Sequence, residues 1–266
     1  MRNETSLDTL CGALAYTMGI EAPEKAAAPE KTLCEYADQA FGGKKADRIF
    51  LYNPDAIAQW IQEKYPQLME QVAKYTELKI PFATVFPPKT PVCFGTMYTG
   101  AQPEVHGIQK YEKPVIRIDT WFDALIRAGK KPAILATTNC SMAHIFLERD
   151  MDYYIYDTIE EVNAKAIQLI REDKHDFIAV YNGNYDAKLH DYGPEHINTL
   201  AEMRVNDTVF ANFSLLIQQT WKHHNTLVGF AMDHGCSYTS MGKGMHGKDL
   251  DADMNIVHHY KAYPAE

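Results

Sequence analysis

The chain has 266 residues, of which 46% are hydrophobic and 23% are charged, and its formal net charge is −9. This is the composition of a globular protein with a full core, and the acidic balance argues against a nucleic-acid polymer as partner, because phosphate backbones need clustered Lys and Arg. No long apolar run is present, the N-terminal stretch lacks the layout of a signal peptide and the five cysteines show no C-x-x-C spacing, so we expect free thiols, no membrane contact and a cytoplasmic location.

Short apolar runs alternate with amphipathic stretches after an N-terminal helical lead-in at residues 1–46. Residues 1–20 place apolar side chains at helical spacing, and the Pro- and Ala-rich stretch 21–31 is interpreted as a surface connection. The predicted strands are 48–53, 81–86, 131–137, 153–157, 176–182, 226–232 and 254–263. The predicted helices are 56–65, one from about residue 91, 141–149, 159–172, and 205–224 with a cap at Asn206 or Asp207.

This alternation predicts an α/β fold in which a central, mainly parallel sheet is covered by helices on both faces. The spacing of the elements gives no sign of an internal repeat, and we interpret residues 1–266 as a single domain. In open sheets of this kind, ligands bind beyond the carboxyl ends of the strands. The segments that follow the strands are therefore where we expect the functional residues.

Side chains that can bind metals follow four of the predicted strands. The set contains three carboxylates, three imidazoles and one hydroxyl: Asp55, Thr90, Asp186, His190, Asp233, His234 and His246. Seven such groups suit two divalent ions, with Zn²⁺ favoured by the imidazoles and Mn²⁺ as the alternative. Two ions about 4 Å apart can clamp the oxygens of an in-line displacement at phosphorus. A threonine hydroxyl becomes a nucleophile when a metal ion lowers its pKa.

Four segments resemble, in the same order, the signatures of the type I phosphodiesterase/nucleotide pyrophosphatase branch of the alkaline phosphatase superfamily. They are KTPVCFGTMYTGAQPEVHGI at 89–108, YDAKLHDYGP at 185–194, MDHG at 232–235 and GMHG at 244–247. Together with Asp55 they span most of the chain. Each segment is short, and the ordered set carries the resemblance.

The resemblance implies an alkaline phosphatase-like catalytic domain with two metal ions. One ion would be held by Asp186, His190 and His246, and the other by Asp55, Asp233, His234 and the Thr90 oxygen. Thr90 would attack phosphorus to form a phosphoryl- or nucleotidyl-threonine, which water would hydrolyse. The implied substrate is a small phosphodiester or nucleotide. A phosphomonoesterase, a phosphonate hydrolase and a catalytically weakened binder of metal or phosphorylated ligands remain as alternatives, and the sequence predicts no oligomeric state.

Two positions depart from the pattern of that family. Asp55 is followed by Ala56 where Gly is common, and Asp55 also fits the N-cap of the next helix. Cys93 occupies a position where Asn is common, and a thiol is a poor donor to a phosphoryl oxygen. For Asp186 and His190, the glycines at 183 and 193 favour a loop over a helix. His106, in the turn after the nucleophile segment, is assigned a structural role.

Overall fold

The computed structural model describes residues 1–266 and is organised around an eight-stranded sheet with the strand order β1-β3-β10-β7-β2-β6-β4-β5. Every neighbouring pair is parallel except those of β10, which runs antiparallel to both β3 and β7. A separate two-stranded ribbon is formed by β8 and β9. The strands are β1 Thr5–Ser6, β2 Arg48–Pro54, β3 Leu78–Ala83, β4 Pro132–Thr137, β5 Asp152–Tyr156, β6 Phe177–Asn182, β7 Thr226–Phe230, β8 Ser237–Tyr238, β9 Gly244–Met245 and β10 Asn255–Tyr263.

Twelve α-helices and one 3₁₀ turn, Pro66–Leu68, connect and flank the strands. The helices are α1 Thr9–Met18, α2 Lys31–Ala40, α3 Gln59–Lys64, α4 Glu70–Tyr75, α5 Thr90–Thr99, α6 Pro103–His106, α7 Trp121–Arg127, α8 Ser141–Ile145, α9 Ile159–Glu172, α10 Asn184–Tyr192, α11 Ile197–Thr220 and α12 Asp251–Met254. None of them combines the length and hydropathy needed to span a bilayer.

The central strands are buried along almost their whole length, which explains why they read as continuous apolar runs. All residues of β6 and β7 are buried, as are all but the first of β2. Strands of this kind are found where helices cover both faces of a parallel sheet. The expected α/β fold with a mainly parallel central sheet flanked by helices is therefore confirmed.

The prediction of a helix cap at Asn206 or Asp207 is wrong. Helix α11 begins at Ile197 with His196 as its cap. Asn206 and Asp207 lie buried in the middle of this helix. Asn206 accepts a hydrogen bond from the Tyr52 hydroxyl at 2.8 Å, and Asp207 accepts one from the backbone N–H of Val72 at 2.7 Å. Their role is to satisfy buried donors of neighbouring elements, which a sequence pattern cannot distinguish from capping.

Two further differences lie in the N-terminal lead-in. The segment predicted as a helix over residues 1–20 begins with the short strand β1, and the helix itself starts at Thr9. The sequence pattern does not indicate helix α2, because this helix directly follows a Pro- and Ala-rich connection. Its N-cap, Glu30, accepts hydrogen bonds from the N–H groups of Thr32 and Leu33.

The strand register brings the carboxyl ends of the central strands to one edge of the sheet. Pro54 of β2 pairs with Asn182 of β6, and Tyr52 pairs with Phe230 at the end of β7. The loops that leave these three strands therefore start side by side. This is the edge on which ligands bind in open α/β folds.

Candidate metal centre

Four of the predicted site residues form a buried group that we call the Asp233 cluster: Asp55, Thr90, Asp233 and His234. His234 Nε2 lies 3.4 Å from Asp55 Oδ1 and 3.3 Å from Asp233 Oδ2. The Thr90 hydroxyl oxygen is 3.3 Å from the same nitrogen and 3.4 Å from Asp55 Oδ2. Ligand atoms of the two carboxylates and the imidazole thus all lie within 4.8 Å of one another.

The other three predicted residues form a second group, the Asp186 cluster: Asp186, His190 and His246. Asp186 Oδ1 lies 3.3 Å from His190 Nε2 and 3.5 Å from His246 Nε2, and the two nitrogens are 3.2 Å apart. The rings of His234 and His246 stack with their centroids 4.1 Å apart, so the two clusters adjoin. The structure therefore brings all seven residues together.

Asp55 leaves β2 in a position that excludes the alternative role as a helix cap. Helix α3 begins at Gln59 with Ala58 before it, whereas the Asp55 side chain is buried against the Asp233 cluster. Ala56 has φ 63°, a left-handed conformation that costs a non-glycine residue about 1–2 kcal/mol. In this conformation its N–H donates to Asp233 Oδ1 at 3.3 Å. The backbone geometry explains why glycine suits the position after the aspartate.

Asp186 and His190 lie on helix α10, so the prediction that they occupy a loop is wrong. Gly183 and Gly193 flank this helix rather than break it. Residues four apart share one face of a helix, and this spacing points both side chains at His246. A helix holds the pair more rigidly than a loop would.

The loop between β7 and α12 reaches both clusters because of its glycines. A Cβ on Gly244 would lie 2.5 Å from the Leu189 carbonyl oxygen, so only glycine lets this loop pack against α10. Gly247, directly after His246, has φ +108°, where side chains are disfavoured. This explains the glycine-rich composition around His246.

All three histidines are oriented by backbone carbonyl groups. The Nδ1 atoms of His190, His234 and His246 lie 3.3, 2.9 and 2.8 Å from the carbonyl oxygens of Gly244, Gly235 and Pro88. An Nδ1–H that donates to a carbonyl leaves Nε2 with its lone pair free, which is the usual arrangement of metal-binding histidines. All three Nε2 atoms face the clusters.

The carboxylates present oxygens that no group of the protein satisfies. Asp55 Oδ1, Asp186 Oδ1 and Asp233 Oδ2 are buried without a hydrogen-bond partner, and they are the oxygens nearest the Nε2 atoms. Buried polar atoms are normally paired, and an unpaired buried anion is strongly unfavourable. Carboxylate oxygens and imidazole nitrogens are the ligands of divalent zinc or manganese, so the residues present fit two such ions.

The pKa values also show that the buried, unpaired carboxylates are unfavourable as anions. Burial, together with the charge of Asp233, raises the pKa of Asp55 well above its usual value, and burial raises that of Asp233 to about 7. Burial lowers the pKa of His234 and of His246 to about 4, so both imidazoles are neutral near pH 7, as metal binding requires. The Asp186 carboxylate, whose Oδ1 lies 3.3 Å from Nε2, raises the pKa of His190.

Thr90 is the first residue of α5, with Pro91 in the first turn of the helix. Its hydroxyl therefore lies where the helix presents unpaired N–H groups and a partial positive charge. Cys93 is fully buried and its backbone N–H donates to the Lys89 carbonyl. Burial raises the pKa of its thiol well above the usual range, so Cys93 supplies no anionic sulfur to the centre.

Tyr181 is a residue of the centre that the sequence did not reveal. Its hydroxyl donates to Asp55 Oδ2 at 2.5 Å, although in sequence it is only one more aromatic residue of β6. The signal that could have identified it is its place, one residue before the end of a strand that pairs with β2. His106, as expected, has a structural contact, with its Nε2 3.0 Å from the Thr96 hydroxyl.

Replacing Asp55 by Asn is expected to stabilise the metal-free protein by about 1–3 kcal/mol. The amide removes one of two buried carboxylates that repel each other, and its NH₂ can donate to the unpaired Asp233 Oδ2. Urea unfolding at pH 8 in a chelator measures the difference. Asp207→Asn is the matched control, because that buried carboxylate already has partners and its replacement should not stabilise. A less stable Asp55→Asn chain would contradict the account of the charges.

Comparisons with solved structures identify the fold. An inactive form of murine ectonucleotide pyrophosphatase/phosphodiesterase 5 in complex with AMP matches with a TM-score of 0.59 and 17% identity over 73% of this chain and 58% of that one. The C-terminal periplasmic domain of EptC from Escherichia coli, in complex with Zn, matches with a TM-score of 0.56 and 15% identity over 84% of this chain and 74% of that one.

Phosphonoacetate hydrolase from Sinorhizobium meliloti in complex with phosphonoformate matches with a TM-score of 0.56 and 16% identity, covering 76% of this chain and 61% of the other. No protein-family model and no curated protein matches the sequence. The chain spans less than two thirds of the length of the murine and Sinorhizobium proteins. The likeness to these three structures confirms the expected alkaline phosphatase-like fold.

Proposed function

We propose that the chain is a two-metal hydrolase of phosphate esters, that its preferred substrates are small phosphodiesters or nucleotide pyrophosphates, and that Thr90 is its nucleophile. The observation that carries the proposal is the position of the Thr90 hydroxyl, 3.3 Å from His234 Nε2 and 3.4 Å from Asp55 Oδ2. It lies beside a group of buried, unpaired ligand atoms and at the start of a helix. A merely structural threonine has no need of such surroundings.

In this proposal Asp186, His190 and His246 hold one ion, and Asp55, Asp233 and His234 hold the other together with the Thr90 oxygen. When bound, the ions would lower the pKa of the threonine hydroxyl and neutralise charge on the phosphoryl group. Zinc is the metal we propose, with manganese as the alternative, because three of the seven ligands are imidazoles. The presence of Zn in the related EptC structure supports this choice.

The residues of the chain account for the covalent steps. Thr90 Oγ1 loses its proton and forms a bond to phosphorus, while the bond between phosphorus and the leaving oxygen breaks and that oxygen takes the electron pair and a proton. Water then attacks phosphorus, the Oγ1–P bond breaks and Thr90 regains its proton. The N–H groups at the start of α5 can bind phosphoryl oxygens in both steps.

The openness of the Asp186 cluster suggests how substrate and water enter. The His190 side chain is 46% exposed, whereas those of Asp233 and His234 are fully buried. A catalytic metal site keeps an accessible position, in contrast to a closed structural site. We infer that substrate approaches from the side of His190 and reaches Thr90 at the bottom of the centre.

The neighbouring structures support a small phosphorylated or phosphonylated ligand, since those proteins were solved with AMP and with phosphonoformate. The likeness to phosphonoacetate hydrolase favours a phosphonate hydrolase as the second candidate. Whether a phosphodiester or a phosphonate is preferred depends on the residues that line the part of the site where the leaving group binds.

The proposal is tested with the purified protein and added Zn²⁺ or Mn²⁺. We expect release of p-nitrophenol from bis(p-nitrophenyl) phosphate, and slower release from p-nitrophenyl phosphate. Phosphate release from phosphonoacetate would instead support the second candidate, and faster cleavage of the monoester would identify a phosphomonoesterase. No turnover of any of the three by a chain that holds both metal ions would contradict the proposed enzyme and identify a non-catalytic binder.

A further inference from the structure

The Asp55 carboxylate has two different oxygens. Oδ1 is buried without a partner and faces His234 Nε2, whereas Oδ2 accepts hydrogen bonds from the hydroxyls of Tyr181 and Thr90. The bond from Tyr181 is the shorter one, 2.5 Å against 3.4 Å. Tyr181 therefore determines which oxygen of Asp55 is free.

Two neighbouring residues, Phe94 and Gly183, limit the position of the Tyr181 ring. Phe94, buried on α5, contacts it edge to face with ring centroids 5.8 Å apart. Gly183 is also close, since a Cβ there would come within 2.6 Å of the Tyr181 hydroxyl and 3.1 Å of its ring. Gly183 has an ordinary φ of −93°, so the backbone does not require glycine there. Glycine is required at this position because a larger side chain would occupy the space of the Tyr181 phenol.

The chemistry of Thr90 makes this hydrogen bond necessary. When the Thr90 hydroxyl loses its proton it no longer donates to Asp55 Oδ2, and a buried carboxylate oxygen without a donor is costly. The Tyr181 hydroxyl remains as the donor to Oδ2 at that point. It also keeps Oδ2 occupied, so that Asp55 cannot present this oxygen in place of Oδ1.

We propose that Tyr181 is a positioning residue of the Asp233 cluster: its hydroxyl, accommodated by Gly183, holds Asp55 Oδ2, so that Oδ1 is the oxygen that would bind the ion held with Asp233 and His234. The inference rests on the metal assignment of the proposed function. It concerns one ion, because Tyr181 has no hydrogen bond to any member of the Asp186 cluster.

The test is the zinc affinity of the full chain, measured by competition with a chelating dye. Tyr181→Phe should lower the affinity for one of the two zinc ions about 10–100-fold, the usual effect of removing a group that orients a metal ligand. The ion with the lower affinity should be the one whose binding Asp233→Asn abolishes, and the affinity for the other ion should not change. Gly183→Ala, which displaces the phenol, should also lower the affinity for this ion. The loss caused by Gly183→Ala should be smaller in the Tyr181→Phe chain than in the unaltered chain.

Kinetics give a second readout. The Tyr181 ring also lines a cavity of about 460 Å³ beside the centre, and phenylalanine preserves that wall. Tyr181→Phe should therefore lower kcat while KM changes little. Tyr98→Phe is the matched control, because it removes another buried tyrosine hydroxyl, one that donates to Asn53 and not to a proposed ligand. It should leave both zinc affinities unchanged.

Equal zinc affinities in Tyr181→Phe and the unaltered chain would overturn the proposal, as would weakening of both ions alike. The outcome is separate from that of the proposed function. A chain that binds two zinc ions and hydrolyses no phosphate ester would end the proposed function, while the affinity measurements would still decide the role of Tyr181.

Discussion

Thr90→Ala is expected to reduce the turnover of bis(p-nitrophenyl) phosphate by about 10³-fold or more, because it removes the only proposed nucleophile. Both metal ions should remain bound, since six of the seven proposed ligands are unaltered. Steady-state kinetics with metal analysis of the same sample measures the two quantities together. A loss of turnover with full metal content separates the role of the hydroxyl from that of the ions.

Two further variants control for this result. Thr90→Ser keeps a hydroxyl at the start of α5 and should retain measurable turnover. Thr96→Ala removes another buried threonine hydroxyl from the same helix, one that contacts His106 and lies outside both clusters, and should leave kcat unchanged. Full activity in Thr90→Ala would contradict the assignment of the nucleophile.

Removing the metals is the second change with a large expected effect. Dialysis against a chelator at neutral pH should abolish turnover, and adding Zn²⁺ or Mn²⁺ should restore it. It should also lower the melting temperature, because an ion that binds only the folded state stabilises it by mass action. The unpaired carboxylate oxygens of Asp55, Asp186 and Asp233 are the physical reason.

The same experiment can distinguish the two clusters. Asp186→Asn and Asp233→Asn should each remove one ion and leave the other, since the two carboxylates belong to separate groups of ligand atoms. Acidification should weaken zinc binding at both clusters, because histidine must be neutral to bind a metal. Undiminished activity of the chelator-treated protein, with metal analysis showing no bound ion, would contradict the two-metal account.

Much of this centre could be predicted because its residues follow buried parallel strands. The apolar runs of β2, β6 and β7 are recognisable without knowledge of the fold, and the ends of parallel strands necessarily meet at one edge. Asp55, Asp186 and Asp233 could therefore be grouped before any distance was known. The ordered motifs then supplied the expected pairing of ligands.

The features that could not be predicted depend on contacts between distant segments. Tyr181 becomes significant only through the register of β6 with β2, which places its hydroxyl against Asp55. The conformation of Ala56 follows from the turn that aims its N–H at Asp233. The loop predicted at α10 is a helix because glycine flanks a helix as readily as it interrupts one, and only the packing distinguishes the two cases.

The most direct test of the central claim is the anomalous scattering of a crystal of the unaltered chain grown with Zn²⁺. We predict two peaks about 4 Å apart, one bound by Asp186, His190 and His246 and the other by Asp55, Asp233 and His234, each at about 2.0–2.2 Å from its ligand atoms. The Thr90 oxygen should face the second peak. A single peak, or two peaks remote from Thr90, would contradict the account.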